Sequence, residues 1–362
     1  MLKTSSRPTS ESISSLDGIV ATQPTPPPSP LPETVGPGRL PVAAPRWVEL
    51  HDGSLVNLTG WSAEALLRLQ VEQEPLFAKA ILATAKGSLE RPEITAKAYA
   101  TVCTILEELG EAKSSPVQWK QLNRPNATVF SMGMDPRYSD FVLRLLDQQN
   151  RLGLSGRFFE VGFSAGSLLK RVAEAGYDVA GLEVVESLRE QACRHLPVSQ
   201  QSQLYVGDFL KTDFCELSGN CSLVYWNDVF EHVHPDEIKD YLNVIFQLLA
   251  PGGLLVTITP NWHMRPSDVT IDFCPPRSEP IGFHLKEYTL REQHQLLSEA
   301  GFCDIATPSF ISMKKFYFAP QMHLTPLKLW LEPFLERLPY RAAVQFCRRF
   351  GLSCTIARKG ST

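Results

Sequence analysis

The feature that most constrains this chain is an alternation beginning near residue 156. Five apolar runs, "RFFEVG", "DVAGLEV", "QLYVGD", "SLVYWND" and "GLLVTITP", have the amphipathic segments "SLLKRVAEAG", "ESLREQACRHL" and "HPDEIKDYLNVIFQLLAPGG" between them. Near-continuous apolar strands need cover on both faces, and intervening helices supply it. The pattern therefore predicts an α/β, Rossmann-like, doubly wound and mostly parallel sheet. Right-handed crossovers bring every strand's C-terminal end to one edge, where such sheets bind ligands. "CDIATPSF" and "LSCTIARKG" bring the strands to seven. The last follows a long excursion and is expected to run antiparallel. Between "GLLVTITP" and "CDIATPSF", "HLKEYTLREQHQLLSEAGF" reads as one helix ending at Gly301.

The first strand feeds the turn "EVGFSAGSLL". Gly162 permits the sharp turn and close backbone approach, Gly166 lets the helix start near the strand, and that helix start offers free N–H groups. Glu160, at the strand end, is placed to accept hydrogen bonds from a ligand's ammonium or hydroxyl groups. A dinucleotide fingerprint needs glycine at the first, third and sixth turn positions. Here these are Gly162, Ser164 and Ser167, so an NAD(P)-dependent oxidoreductase is a poor fit. More acids close later strands: Glu183 can take two ribose hydroxyls, and Asp208 follows the third strand with Phe209 beside it.

Read as Glu160, Gly162, Ser164 and Gly166, the turn resembles the acid-x-Gly-x-Gly-x-Gly turn of class I S-adenosylmethionine-dependent methyltransferases. Asp228, Glu231, His232 and Val233 in "WNDVFEHVHPDE" resemble the family's Asp-x-x-Glu-His-Val. "LAPGG" resembles its turn before the fifth strand, and the late "HLKEYTLREQHQLLSEAGF" its segment before the sixth. The resemblance covers about residues 136–310 and 352–358 and is closest to the small-molecule enzymes of ubiquinone and menaquinone biosynthesis. It implies S-adenosyl-L-methionine as cofactor, held by Glu160, Gly162, Ser164, Gly166, Glu183, Asp208, Phe209 and Asn227, with Asp208 near the adenine amine and Phe209 on the purine face. It implies methyl transfer to a small organic acceptor, with oxygen favoured over nitrogen or carbon. A hydroxyl acceptor benefits from a base, and histidines in the loops after the fourth and fifth strands are candidates: His232 and His284 first, then His234 and His263. A non-catalytic nucleotide-binding regulator on the same fold is the alternative.

The rest of the chain divides by composition. Residues 1–45 hold ten of the 28 prolines and read as a disordered tail. Residues 46–135 read as a helical cap or interaction region, with Ser62 capping one helix and Gly110 stopping another. Residues 136–362 form the expected methyltransferase domain. Its insert, about residues 311–350, is aromatic- and arginine-rich: a helical element packed on its own domain, a cover for an apolar or aromatic acceptor, or a peripheral membrane contact. The long loop from Asn261 to His284 reads as substrate wall. A net charge of −4 gives no argument for nucleic acid as partner. The eight cysteines lack zinc spacing, so no metal is expected, and they read as reduced thiols of a cytoplasmic protein. No apolar run has transmembrane length.

Overall fold

The computed structural model describes residues 45–113, 136–319 and 324–360. The expected disordered tail, apart from residue 45, lies outside the described residues, as do residues 114–135 of the expected cap.

The first described stretch opens on an antiparallel hairpin, β1 (Trp47–Glu49) and β2 (Leu55–Asn57). Two long helices follow, α1 (Ala63–Ala83) and α2 (Glu90–Lys113). Ser62 caps α1, its hydroxyl accepting from the Ala65 N–H at 3.2 Å. Gly110 does not stop α2, which runs through it to Lys113. A mid-helix glycine costs only about 1 kcal/mol. Ile105 and Leu109, buried against Leu66 and Leu69 of α1, offset more than that.

The remainder is built on one seven-stranded sheet. Helix α3 (Pro136–Arg151) precedes β3 (Arg157–Val161), α4 (Ser167–Glu174), β4 (Val179–Glu183), α5 (Glu186–Cys193), the short α6 (Val198–Gln201) and β5 (Leu204–Val206). Then come β6 (Cys221–Asn227), α7 (Ile238–Leu248), β7 (Leu249–Ile258), α8 (Leu290–Glu299) and β8 (Phe302–Ala306). A small hairpin, β9 (Phe310–Ile311) and β10 (Phe316–Tyr317), leads to α9 (Thr325–Leu331), a 3-10 turn (Glu332–Arg337), α10 (Tyr340–Phe350) and β11 (Cys354–Lys359). The sheet order is β5-β4-β3-β6-β7-β11-β8, with β11 antiparallel to both neighbours. The order reverses between β3 and β6, which opens a crevice at their C-terminal ends.

The pleat sorts side chains strictly. Phe158, Leu223 and Tyr225 face one core, closed by Phe141, Leu145, Leu168 and Val172 from α3 and α4. Phe159, Val224 and Trp226 face the other, closed by Leu242, Ile245 and Leu297 from α7 and α8. The expected long helix over "HLKEYTLREQHQLLSEAGF" is shorter: α8 begins at Leu290. Thr289 and Glu292 form a capping box that fixes the start there. Residues 284–288 are thereby loop, free to turn toward the sheet edge.

The insert packs on its own domain. Ala343 and Cys347 of α10 bury against Leu290, Leu335 and Leu352. Glu332 accepts from the N–H groups of Leu290 (2.6 Å) and Arg291 (2.9 Å) and from Asn261 Nδ2 (3.0 Å). A buried carboxylate there sits at the positive end of α8 and ties it to the 261–287 loop. Trp330 and Phe334 point outward, 63% and 44% exposed.

Candidate active site

The crevice is floored by the turn after β3. Gly162, Ser164 and Gly166 all have positive φ, at 70°, 50° and 76°. A side chain on Gly162 would place its Cβ 2.6 Å from Val229 Cγ2, and one on Gly166 2.6 Å from Ala192 Cβ. Glycine is required at both by backbone and by space. Ser164 turns its N–H onto Glu183 Oε2 at 2.8 Å, while Glu183 Oε1 accepts from Val184 N at 2.8 Å. A carboxylate has about four lone-pair sites, so Glu183 retains capacity for ligand hydroxyls. Glu160 lies beside it on the next strand, and its buried Oε2 has no protein partner. Burial, and then the neighbouring Glu183 charge, push the Glu160 pKa well above the usual carboxylate range. A cationic or hydroxyl-bearing ligand would relieve that.

Asp208 and Phe209 follow β5. The Asp208 carboxylate accepts from Leu210 N at 3.0 Å and lies 3.6 Å from Lys211 Nζ, so it also shapes its own turn. Phe209 corrects the expectation. Its ring is 2% exposed, stacked on Tyr241 with centroids 5.0 Å apart and edge-on to Phe159. With Tyr241 stacked on the ring, Phe159 and Phe214 packed against it and almost none of it exposed, it has no open face for a purine. Asn227 ends β6 and donates to Asp228 Oδ2 at 3.2 Å, leaving its own buried Oδ1 without a protein partner.

Beyond β6 stands a second group of side chains. His232 and His284, 52 residues apart in sequence, lie with ring centroids 4.9 Å apart. His232 Nδ1 is 2.8 Å from the Phe283 carbonyl, which makes that nitrogen the donor and leaves Nε2 with its lone pair. Burial and the His284 charge depress the His232 pKa to about 3. His284 moves the opposite way, to about 9. Burial disfavours its charge, but the hydrogen bond to Glu287 Oε1 at 2.9 Å and the nearby Glu231 carboxylate outweigh it. Glu231 is fully buried, and burial raises its pKa while His284 draws it down. Asp228, at positive φ of 51°, opens onto solvent beside them. Two imidazoles at one place are thus held in opposite protonation states.

His234 and His263 do not join this group. His234 pairs with Asp236 at 2.6 Å, in the network that holds Arg91 of α2. His263 is 2.9 Å from Glu336 of the insert. Sequence reasoning missed three contributors. Tyr99 of α2 lies edge-on to His232 at 5.9 Å, so the helical region supplies a wall of the site. Glu287, three residues after His284, orients that ring and accepts from Ser267 N and Oγ. Glu74 of α1 is 4% exposed near Asp268 and Gly282. Of the three, only Glu287 carries a sequence signal, the His-x-x-Glu spacing of "HLKE", and it falls inside the segment expected to be helical.

Residues 131–307 match the family model described as a methyltransferase domain. That stretch runs from just before α3 to the end of β8, and its sheet carries the antiparallel β11 between β7 and β8. The match covers just under half of the chain, and it is to a methyltransferase domain. A curated protein of Geobacillus sp. (strain WCH70), named as a methyltransferase, is 25% identical over 123 residues, which are 33% of this chain and 48% of its own length. The chain thus spans about half of that relative. Among solved structures, a carbon methyltransferase called CurJ aligns over 83% of this chain and 70% of its own, at 14% identity and a TM-score of 0.41. A phosphoethanolamine N-methyltransferase of Haemonchus contortus, with S-adenosyl-L-methionine, covers 60% and 52% at 15% identity and a TM-score of 0.37. These two likenesses are too distant to speak of an acceptor. The cofactor of such domains is S-adenosyl-L-methionine, and the crevice of this methyltransferase domain fits it: the unpartnered Glu160 oxygen suits an ammonium, and Glu183 suits ribose hydroxyls.

Proposed function

We propose that the chain transfers a methyl group from S-adenosyl-L-methionine to a small organic acceptor held between the Glu160–Glu183 edge and the His232–His284 group. The carrying observation is adjacency. The first set ends β3 and β4, the second begins directly after β6, and the sheet order places β6 next to β3. When bound, the cofactor supplies a methyl made electrophilic by its sulfonium. The protein's contribution is alignment and exclusion of water. Tyr99, Phe283 and Phe77 pack the helical region onto the 261–287 loop and close one side of the site.

An oxygen acceptor is favoured. His232 is neutral at physiological pH and offers Nε2 to a hydroxyl, which orients the attacking lone pair. With its pKa near 3 it acts as hydrogen-bond acceptor, not as the near-neutral base expected from the sequence. A second reading, an amine acceptor, is favoured by the solvent-facing Asp228 carboxylate. The insert's exposed Trp330 and Phe334 turn from the domain to solvent, which supports a surface role for them and not that of a wall over the acceptor.

The test is calorimetric titration with S-adenosylmethionine, S-adenosylhomocysteine and NADH, then transfer of labelled methyl to a panel of phenols, alcohols and amines. Micromolar binding of both adenosyl ligands, label on a hydroxyl compound and no NADH binding are expected. A folded protein that binds neither adenosyl ligand overturns the proposal. Binding without transfer to any acceptor would favour the regulator reading.

A further inference from the structure

Strand β6 carries a phenol in the middle of an apolar run. Tyr225 stands between Val224 and Trp226, is 1% exposed, and its hydroxyl has no protein hydrogen-bond partner. Its ring packs on Phe158, centroids 6.3 Å apart, a contact that phenylalanine would keep. A buried tyrosine hydroxyl normally finds a partner, and stripping one of water without a partner is costly. The register shows what the phenol stands beside. Tyr225 is the direct partner of Glu160 across the parallel β3–β6 pair, so the two side chains share one face of the sheet. One step earlier on that face the pair is Phe158 and Leu223, both apolar core. One step later Asn227 returns to it at the end of β6. Three buried polar atoms are left over there: the Tyr225 hydroxyl, Glu160 Oε2 and Asn227 Oδ1. They gather where the strand order reverses and the crevice opens.

We propose that Tyr225 is a cofactor-binding residue whose hydroxyl donates to the α-carboxylate of S-adenosyl-L-methionine. It rests on the function proposed above, which puts that cofactor in this crevice. The argument is one of chemical complement. Glu160 Oε2 and Asn227 Oδ1 are acceptors and suit an ammonium. In an α-amino acid the carboxylate sits on the same carbon as the ammonium, so a seat made of acceptors alone is incomplete and needs a donor beside them. Tyr225 is a donor in that place. Burial, and then the Glu160 charge, raise its pKa far above the usual phenol range, with smaller contributions from Tyr138, Asp228 and Cys354. The hydroxyl therefore keeps its proton, and it does not spend it on Glu160. Three residues before Asp228 and inside an apolar run, Tyr225 reads in the sequence as core.

The experiment compares the full-length protein with Tyr225→Phe by calorimetry and by thermal melts without ligand. Three ligands are titrated: S-adenosylhomocysteine, its decarboxylated analogue, and 5′-methylthioadenosine, which lacks the amino-acid end. Tyr225→Phe should weaken S-adenosylhomocysteine about 10- to 100-fold, the loss of one hydrogen bond to a charged group. The other two ligands should bind wild type and variant alike. The variant's Tm without ligand should equal or exceed that of wild type, because an unpartnered buried hydroxyl has been removed. Stability and affinity thus move apart, which a merely structural tyrosine would not allow. Equal weakening of all three ligands overturns the proposal, as does a clear fall in Tm, which would mean that the hydroxyl is bonded within the protein. Weakening of the decarboxylated analogue alongside S-adenosylhomocysteine overturns the bond to the carboxylate. Wild type that binds S-adenosylhomocysteine no better than Tyr225→Phe overturns the role of Tyr225 alone, whereas folded wild type that does not bind it at all overturns the cofactor reading with it.

Discussion

The strand-end edge and the histidine group are neighbours on the sheet, yet they are assembled in opposite ways. The edge is local: Glu160, Gly162, Ser164 and Gly166 come from one strand-turn-helix, and Glu183 from the next strand in chain order. The histidine group draws on α2, the loop after β6 and the loop before α8, so it exists only when distant segments dock. Its groups also oppose one another. One imidazole is stripped of charge and the other is forced to carry it, whereas the edge holds two carboxylates beside an open crevice, Glu183 fed by two backbone N–H groups and Glu160 with an unpartnered oxygen. A local device can be rigid without the rest of the protein. A docked one is coupled to everything that holds the helical region in place.

The sharpest way to break that comparison is His232→Ala. Losing the neutral imidazole removes the hydrogen bond that aligns the acceptor hydroxyl, so the transfer rate should fall about 10²-fold or more. Affinity for S-adenosylhomocysteine, measured by calorimetry, should stay within a few-fold. If cofactor affinity falls as far as the rate, the two regions are one unit. The converse variant, Glu183→Ala, removes an acceptor expected to take two charge-assisted hydrogen bonds at about 1.5–3 kcal/mol each. Its Kd for S-adenosylhomocysteine should rise about 10²-fold or more, with the histidine NMR signals unmoved. Shifts in those signals would show that the edge also positions the histidines.

A third prediction probes the docking seam. Glu74 of α1 is buried, and its pKa rises from 4.5 to about 7, through burial first and the Asp268 charge after it. Gln70, the Phe283 backbone and the charge on His284 oppose the rise. A carboxyl with a raised folded pKa contributes stability that is complete below pH 4.5 and lost as pH climbs through about 7. Glu74→Gln keeps the shape without the titration. Between pH 4.5 and 8 the unfolding free energy should shift in favour of the variant by about 2–3 kcal/mol. Denaturant melts at the two pH values measure it, and parallel curves would exclude Glu74 as a charged burden at the seam.

What was legible in the sequence follows the same division. All seven strands of the main sheet and the glycine turn were readable, because apolar runs and turn glycines report backbone needs within a few residues. The acids of the edge were readable as strand-end positions. Phe209 was misplaced because a pattern does not say which side of an aromatic is already covered; Tyr241, 32 residues later, covers it. His232 and His284 were named from their loops, but their meeting and their opposite charges depend on Phe283, Glu287 and Tyr99. Glu287 was hidden inside an expected helix that the Thr289–Glu292 capping box starts later. The β1–β2 hairpin escaped because three-residue strands carry too little periodicity to register.

The smallest effect tests how finished the local edge is. Ser164 occupies a left-handed conformation, φ 50°, where the resembling families place glycine. A non-glycine residue there carries about 1–2 kcal/mol of strain. Ser164→Gly would remove it but give back about 0.4–1 kcal/mol through the freer unfolded chain. The net should be a stabilisation of about 1 kcal/mol or less, seen as a rise in Tm of a few degrees at most. The N–H that meets Glu183 belongs to the backbone, so S-adenosylhomocysteine affinity should change less than about threefold. A larger loss of affinity would mean that the serine hydroxyl itself touches the cofactor. The departure from glycine would then be a contact selected for binding, and the strain at residue 164 the cost of keeping it.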